Sequence, residues 1–330
     1  MKRCVFILPW FGPLRNYFDI FLSSCSINDE YDWIIVTDHV PEQAPDNVRI
    51  CPMTFEKFQR AVQSKFEFRI ALDRPYKICD FKPALGYIFE EVLSGYEYWG
   101  HCDCDLVFGR LAPILEPLFD EGYEKIFSAG HLTIYRNDSL NNRRFMRVDK
   151  DGVDMHRIAL SNPGVFAFDE SIWARNIHTL FMEQGAAMYE ADRSFNVSTS
   201  YFGLRRTMYD PSSHGWVMEK DHPQALWLDT SGVCALYRTG GALEVRRYAY
   251  IHLQGRKMDV PDRCDLDQCL QIAPNQFIPM PAPRASDELP EGLRTHFISL
   301  KAMRLAARRV KHALHKEPEP STYDPYLPFL

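Results

Sequence analysis

The chain has 330 residues, of which 46% are hydrophobic, 25% charged and 13% aromatic, a globular balance that excludes a disordered, collagen-like or coiled-coil protein. Its 38 basic and 44 acidic residues give a net charge of −6, which argues against a general nucleic-acid binder. Six of the bases and no acid fall within Lys301–Lys316, so 32 bases face 44 acids elsewhere, and so acidic a body needs a metal or a few focused cations to handle an anionic substrate.

No run of about 18 apolar residues marks a membrane span. Pro9, Gly12 and Pro13 cut the apolar start short, so it reads as a first strand and not as an export signal. Nine cysteines at irregular spacing read as reduced thiols of a cytoplasmic protein. Neither Cys102-x-Cys104 nor Cys264-x4-Cys269 has the spacing of a zinc knuckle.

Short apolar runs alternate with helical patterns through the first half, the sign of an α/β sheet with crossovers. Cys4–Leu8 reads as a strand, and Leu14–Cys25 as a helix with Tyr17, Phe18, Phe21 and Leu22 on one face. Asp32–Thr37 (DWIIVT) reads as a strand buried on both faces, and Val48–Cys51 as a third strand. Thr54 is expected to cap a helix reaching Phe66. Phe81-Lys82-Pro83 is expected to open another through Leu93, with Pro83 in its first turn. Tyr96–Cys102 reads as a strand that runs into Asp103-Cys104-Asp105. Leu111–Phe119 and Ile172–Gln184 read as helices, and Lys125–Ser128 and Leu132–Tyr135 as strands. Further on, Ala225–Leu228 and Val233–Arg238 form a candidate hairpin and Glu244–Leu253 a strand. Ile278–Pro290 reads as a Pro-rich linker, Leu300–Lys316 as a basic amphipathic helix, and Glu317–Leu330 as a loose tail.

The sharpest chemical signal is GHCDCDLVFG. Asp103 and Asp105 stand two apart just past a hydrophobic strand, where both carboxylates can reach one hard cation, with a substrate diphosphate supplying further oxygens. The plain alternative is a solvated acidic turn, but the apolar residues on both sides make unpaired carboxylates costly there. In KICDFKP, Asp80 and Lys82 sit at a helix start; they either meet an anion or merely cap the helix and face water. In YIHLQGRKM, His252 ends a strand and Arg256 and Lys257 follow. A strand histidine can be a core residue, or an imidazole ligand suited to manganese or zinc. Phe168-Asp169-Glu170-x-x-Trp173 offers two carboxylates, one of which could act as base on an acceptor hydroxyl, or could simply favour a helix N-terminus.

Taken together, a first strand ending near Pro-Trp-Phe-Gly, a second ending in Thr-Asp, K-x-C-D-x-K-P, D-x-D after a strand and a late His before Arg-Lys resemble GT-A-fold glycosyltransferases. KICDFKPALG, WGHCDCDLVFGRL and YIHLQGRKM are similar to stretches of a bacterial group from cell-surface polysaccharide loci, over roughly residues 1–260. The resemblance implies a GT-A-like fold, a Rossmann-type mixed sheet of the nucleotide-diphospho-sugar transferase kind. A catalytic domain would span residues 1–277, with a nucleotide-sugar half (1–110) and an acceptor half (111–277), before a C-terminal appendage (278–330). It implies transfer of a hexose from a UDP-sugar to a surface polysaccharide or lipid-linked glycan. Leu8, Pro9 and Asp38 would border the nucleoside, and Asp80 and Lys82 would lie near its uracil or ribose. Asp103 and Asp105, with His252, would hold Mn2+ or Mg2+ on the diphosphate, which Arg256 and Lys257 would face from the other side. Asp169 and Glu170 are the candidate catalytic carboxylates.

Two rival readings stand beside this one. A sugar-nucleotide nucleotidyltransferase would want a Gly-rich basic loop after the first strand, for which Phe11-Gly12-Pro13-Leu14-Arg15 is a poor substitute. A sugar- or nucleotide-binding module would keep the fold without turnover. Leu300–Lys316 either docks on the inner face of an anionic membrane or packs its apolar stripe on the body with its bases in water.

Overall fold

A computed structural model describes residues 2–171, 175–198, 203–261 and 269–280. In chain order its strands are β1 (Cys4–Trp10), β2 (Asp32–Thr37), β3 (Val48–Pro52), β4 (Tyr98–Cys102), β5 (Leu106–Phe108), β6 (Lys125–Ile126), β7 (Leu132–Arg136) and β8 (Met188–Tyr189). They continue as β9 (Ser194–Val197), β10 (Arg206–Asp210), β11 (Gly215–Met218), β12 (Ala225–Asp229), β13 (Gly232–Thr239), β14 (Ala242–Tyr248), β15 (Tyr250–His252), β16 (Cys269–Ala273) and β17 (Gln276–Met280). The chain divides into two compact units. Met1–Leu106, Leu111–Asp192 and Tyr209–Trp216 make the first, and Val107–Arg110, Arg193–Met208 and Val217–Leu330 the second. The chain passes between them repeatedly.

The first unit is built on a mixed sheet of order β3-β2-β1-β4-β7-β6-β8. β1 lies between β2 and β4 and is parallel to both, with Trp10 beside Thr37 and Ile7 beside His101. Such central parallel strands are covered on both faces, which is why CVFIL and WIIV are continuous apolar runs rather than alternating ones. Their parallel direction brings the ends of β1, β2 and β4 to one edge of the sheet. The chain runs from β1 to β2 and β3 on one side and then crosses to β4 on the other, and open α/β sheets bind ligands in the crevice beside such a switch point.

Several elements differ from expectation for identifiable reasons. Where one helix is expected from Phe81 to Leu93 there are a 3-10 turn (Lys82–Ala84) and one α-turn (Leu85–Ile88), preceded by a 3-10 turn (Pro75–Lys77) and an α-turn (Ile78–Phe81). Pro83 has no N–H to return to the preceding turn, so a continuous α-ladder cannot pass it. The strand from Lys125 stops at Ile126 because Phe127 takes φ 69°, outside the extended region. The helix expected over Ile172–Gln184 covers Ile177–Glu183, where Asn176 caps it by accepting from the N–H groups of His178 and Thr179. Helices Phe18–Ser26, Phe55–Gln63 and Ala112–Asp120 lie where expected with shifted ends, and Thr54 caps the second through the Lys57 N–H.

In the second unit β9 and β15 pair in parallel, with β10 antiparallel to β9. A separate antiparallel sheet has the order β14-β13-β12-β16-β17, and β12 and β13 form the expected hairpin. The single strand expected over Glu244–Leu253 is two, because β14 and β15 belong to different sheets. The expected linker at Ile278 begins inside β17, an edge strand, where Pro279 removes no interior ladder bond. The Leu300–Lys316 helix, the Glu317–Leu330 tail and Trp173 lie outside the described residues. No helix among the described residues is long and apolar enough to cross a membrane.

Candidate active site

At the C-terminal edge of the first unit's sheet lies a cleft of about 290 Å³. Leu8, Pro9 and Trp10 at the end of β1 and His101 to Asp103 at the end of β4 form its floor, and Asp105, Lys82, Asp169 and Glu170 line its sides. Five expected acidic or basic site residues thus converge: Lys82, Asp103, Asp105, Asp169 and Glu170. Leu8 and Pro9 join them as expected. Tyr76, 73% exposed, also lines the cleft.

Lys82 is the hub. Its ammonium lies 2.7 Å from the Asp103 carboxylate and 3.0 Å from that of Asp169, and donates to the Gly130 carbonyl at 2.9 Å. Burial alone would discharge this lysine, but its acidic neighbours, Asp103 first, outweigh it and hold it charged well above its ordinary value. Gly130 makes the approach possible. A Cβ there would stand 2.8 Å from Asp169 Oδ2 and 2.8 Å from Glu170 Oε1, so any side chain would push both carboxylates aside.

Asp169 sits in a turn, not at the helix start its sequence suggested; Ala167, at φ 47°, turns the chain, and the Glu170 N–H closes back on the Ala167 carbonyl. Burial pushes the Asp169 carboxyl up to about 8 against the pull of Lys82, and its Oδ1 is buried without a hydrogen-bond partner. An aspartate ionises near 4 in an unfolded chain. The native carboxyl therefore stays protonated where the unfolded one ionises, and the stability it contributes is full below about pH 4 and falls as pH rises towards 8. Asp169→Asn removes this titration. The stability of the variant relative to wild type is expected to rise steadily from about pH 5 to 8 in urea unfolding. A pH-independent difference would contradict a neutral native Asp169.

Asp80 lies beneath the cleft rather than on it, which corrects its expected place beside the nucleoside. It is fully buried, 2.6 Å from the Lys77 ammonium, and accepts from the N–H groups of Phe166 and Phe168. It thereby anchors the turn that presents Asp169. Asp38 follows β2 and accepts from the Gly12 N–H at 2.9 Å and the His39 ring at 2.8 Å. Burial raises its carboxyl somewhat, and these two donors bring it below its ordinary value.

Among the cleft residues that were not assigned roles from sequence are Arg15 and His101. Arg15, behind Pro13, lines the cleft beside Trp10. His101 lines it too; burial holds its ring neutral, and both ring nitrogens lack hydrogen-bond partners. The alternation of β4 could have marked His101 as inward-facing, but nothing local marks its orphaned nitrogens.

In the second unit, His252 ends β15 with Nδ1 3.0 Å from Asn196 Oδ1, which also accepts from Gln254 Nε2. Asn196 Oδ1 is an acceptor, so the His252 proton is on Nδ1 and a lone pair on Nε2. Arg256 is spent differently from expectation. Its guanidinium donates to the carbonyls of Pro274 and Ser198 at 3.0 and 2.8 Å, and burial lowers it to about 10. It ties backbone together instead of facing a diphosphate, while Lys257 is exposed.

The residues present fit a hard divalent cation. Asp103 and Asp105 project from one turn into one cleft, and Asp103 already attracts a positive charge, that of Lys82. Fold and site therefore define a mixed α/β protein with an acidic pair, a candidate metal-binding group, at the edge of its parallel strands. Residues 6–281 match the model of a family of unknown function, DUF6625, and the chain belongs to that family. No curated protein matches it. Among solved structures it is similar to the galactosyltransferase LgtC in complex with donor and acceptor sugar analogues, with 10% identity and a TM-score of 0.32, covering 60% of this chain and 75% of that one. It is also similar to mouse xyloside xylosyltransferase 1, at 8% identity and a TM-score of 0.34, covering 60% and 88%. The glycosyltransferase GlyE of Streptococcus pneumoniae TIGR4 is a third, at 9% identity and a TM-score of 0.27, covering 50% and 45%.

Proposed function

We propose that the chain is a metal-dependent glycosyltransferase of GT-A-like fold that moves a sugar, a hexose, from a UDP-sugar to a surface polysaccharide or lipid-linked glycan. One observation carries the reading: Asp103 and Asp105 enter a cleft at the C-terminal edge of parallel strands together with Lys82, Asp169 and Glu170. A diphosphate between a nucleoside and a sugar matches that combination of carboxylates for a cation and basic groups for an anion.

In this reading Asp103, Asp105 and His252 Nε2 hold Mn2+ or Mg2+. When bound, the cation neutralises the charge that gathers on the departing diphosphate. Leu8 and Pro9 bound the nucleoside pocket, and Asp38 approaches the ribose side. Lys82 holds Asp103 in place on one side and Asp169 on the other. Glu170, next to the protonated Asp169, accepts the proton of the acceptor hydroxyl. Lys257 meets the diphosphate from solvent.

The test is a thermal-shift panel of nucleotide sugars with and without Mn2+, followed by assay of UDP release. UDP-sugars are expected to raise the melting point only with the metal, and then to be hydrolysed slowly without acceptor. Metal-dependent binding without any turnover would instead identify a binding module, and no shift with any nucleotide sugar would refute the reading.

A further inference from the structure

Away from the cleft, three segments of the first unit bring metal-binding side chains together: His178 in helix Ile177–Glu183, Glu190 just after β8, and His214 in the turn between β10 and β11. One ligand atom from each lies within 4.8 Å of the others. His178 Nε2 is 2.9 Å from Glu190 Oε1, and the Tyr209 hydroxyl lies 3.4 Å from both His178 Nε2 and His214 Nδ1. We propose that His178, Glu190 and His214 form a second cation site, one that takes Zn2+.

Zinc bound to imidazole and carboxylate at about 2.0–2.2 Å in tetrahedral geometry needs its ligand atoms about 3.3 Å apart. The present spacing reaches that with side-chain rotation alone, and most readily for His214, which is exposed on its turn. Two imidazoles and one carboxylate select zinc over magnesium, which prefers an all-oxygen octahedron. This donor set is softer than the acidic pair of the cleft. The His178 ring is also oriented from behind. Lys125 Nζ, buried and anchored on the Phe127 carbonyl at 2.5 Å, lies 3.3 Å from His178 Nδ1 and turns Nε2 towards Glu190. Tyr209 supplies a fourth polar group at the same point.

The ion would pin the 209–216 segment to the β6–β8 edge of the sheet. Trp216, two residues past His214, packs on His131 at 5.9 Å between ring centroids, and the His131 carbonyl accepts the Asp103 N–H at 3.0 Å. A zinc-ordered turn would therefore support the strand end that carries the acidic pair.

Zn2+ alone is the probe, titrated into metal-stripped full-length protein against a chromogenic chelator with Mg2+ in excess. One Zn2+ per chain is expected, and it is expected to persist in Asp105→Ala. His214→Ala, on an exposed turn, and Glu190→Gln should each weaken it at least tenfold, while Co2+ in its place should give the intense visible bands of a four-coordinate site. The turn around residues 209–216 should exchange amide hydrogens more slowly with zinc than without. Wild-type affinity in both His214→Ala and Glu190→Gln, or zinc lost in Asp105→Ala and retained in His214→Ala, would overturn the site. No nucleotide enters this readout, so its outcome is separate from that of the transferase assay.

Discussion

Asp105→Ala is expected to abolish Mn2+-dependent UDP binding and to lower kcat/KM by more than about 100-fold, since even outer-shell partners of a bound metal are worth ~10–100-fold. The fold is expected to survive. Asp105 follows the end of β4 in a turn, and removing a largely buried carboxylate there takes away a group that is costly to desolvate. Asp103 is the less informative target. Its carboxylate is one of two that hold the Lys82 ammonium, so losing it would unbalance Lys82 and Asp169 as well as the cation site. Calorimetric titration of UDP with and without Mn2+, beside a melting curve without metal, separates the outcomes. An unchanged metal dependence in Asp105→Ala would remove this aspartate from the site. A collapsed melting point would mean that its role is structural.

What the sequence made legible was whatever depends on near neighbours along the chain. DWIIVT was read to the residue as β2, because a strand covered on both faces has no alternation to misread. The hairpin of β12 and β13 was legible through its short polar turn, and the acidic pair through its place after an apolar strand. Where the reading failed, the deciding contact was far away. KICDFKP suggested that Asp80 meets a ligand, but its partners Phe166 and Phe168 lie 86 and 88 residues on, and periodicity carries no information about them. Asp169 read as the opening of a helix because acids favour helix starts, yet Asn176, with its two backbone contacts, is the better cap. Arg256 was read with Lys257 as an anion contact because the acidic body otherwise lacks focused cations. Its real partners are carbonyls at 198 and 274. β14 and β15 read as one strand because alternation persists through a change of sheet. The cleft was thus legible as a set of residues, but not the contacts by which Lys82 joins Asp103 to Asp169.

The largest effect on stability is expected at Lys77 and Asp80. Both are fully buried, 2.6 Å apart. Lys77 Nζ also donates to the Ala159 and Gly164 carbonyls and lies 5.2 Å from the centre of the Phe166 ring, while Asp80 accepts the Phe166 and Phe168 N–H groups. Removing one partner of such a pair strands a charge without water, which costs ~3–5 kcal/mol, a large share of the ~5–15 kcal/mol that holds a typical domain folded. Lys77→Met should therefore shift the urea midpoint strongly. Asp80→Asn should do so less, because its amide oxygen can still take one backbone N–H. The double variant Lys77→Met/Asp80→Asn is expected to cost clearly less than the two single changes added together, since it leaves no unpaired charge. The pair also fixes the turn in which Ala167 holds its left-handed conformation and Asp169 meets Lys82. Asp80→Asn, assayed where it is still folded, should accordingly lose turnover more than donor affinity. Additive costs in the double variant would show that the two side chains act independently, and an unchanged turnover in Asp80→Asn would show that the turn does not position Asp169.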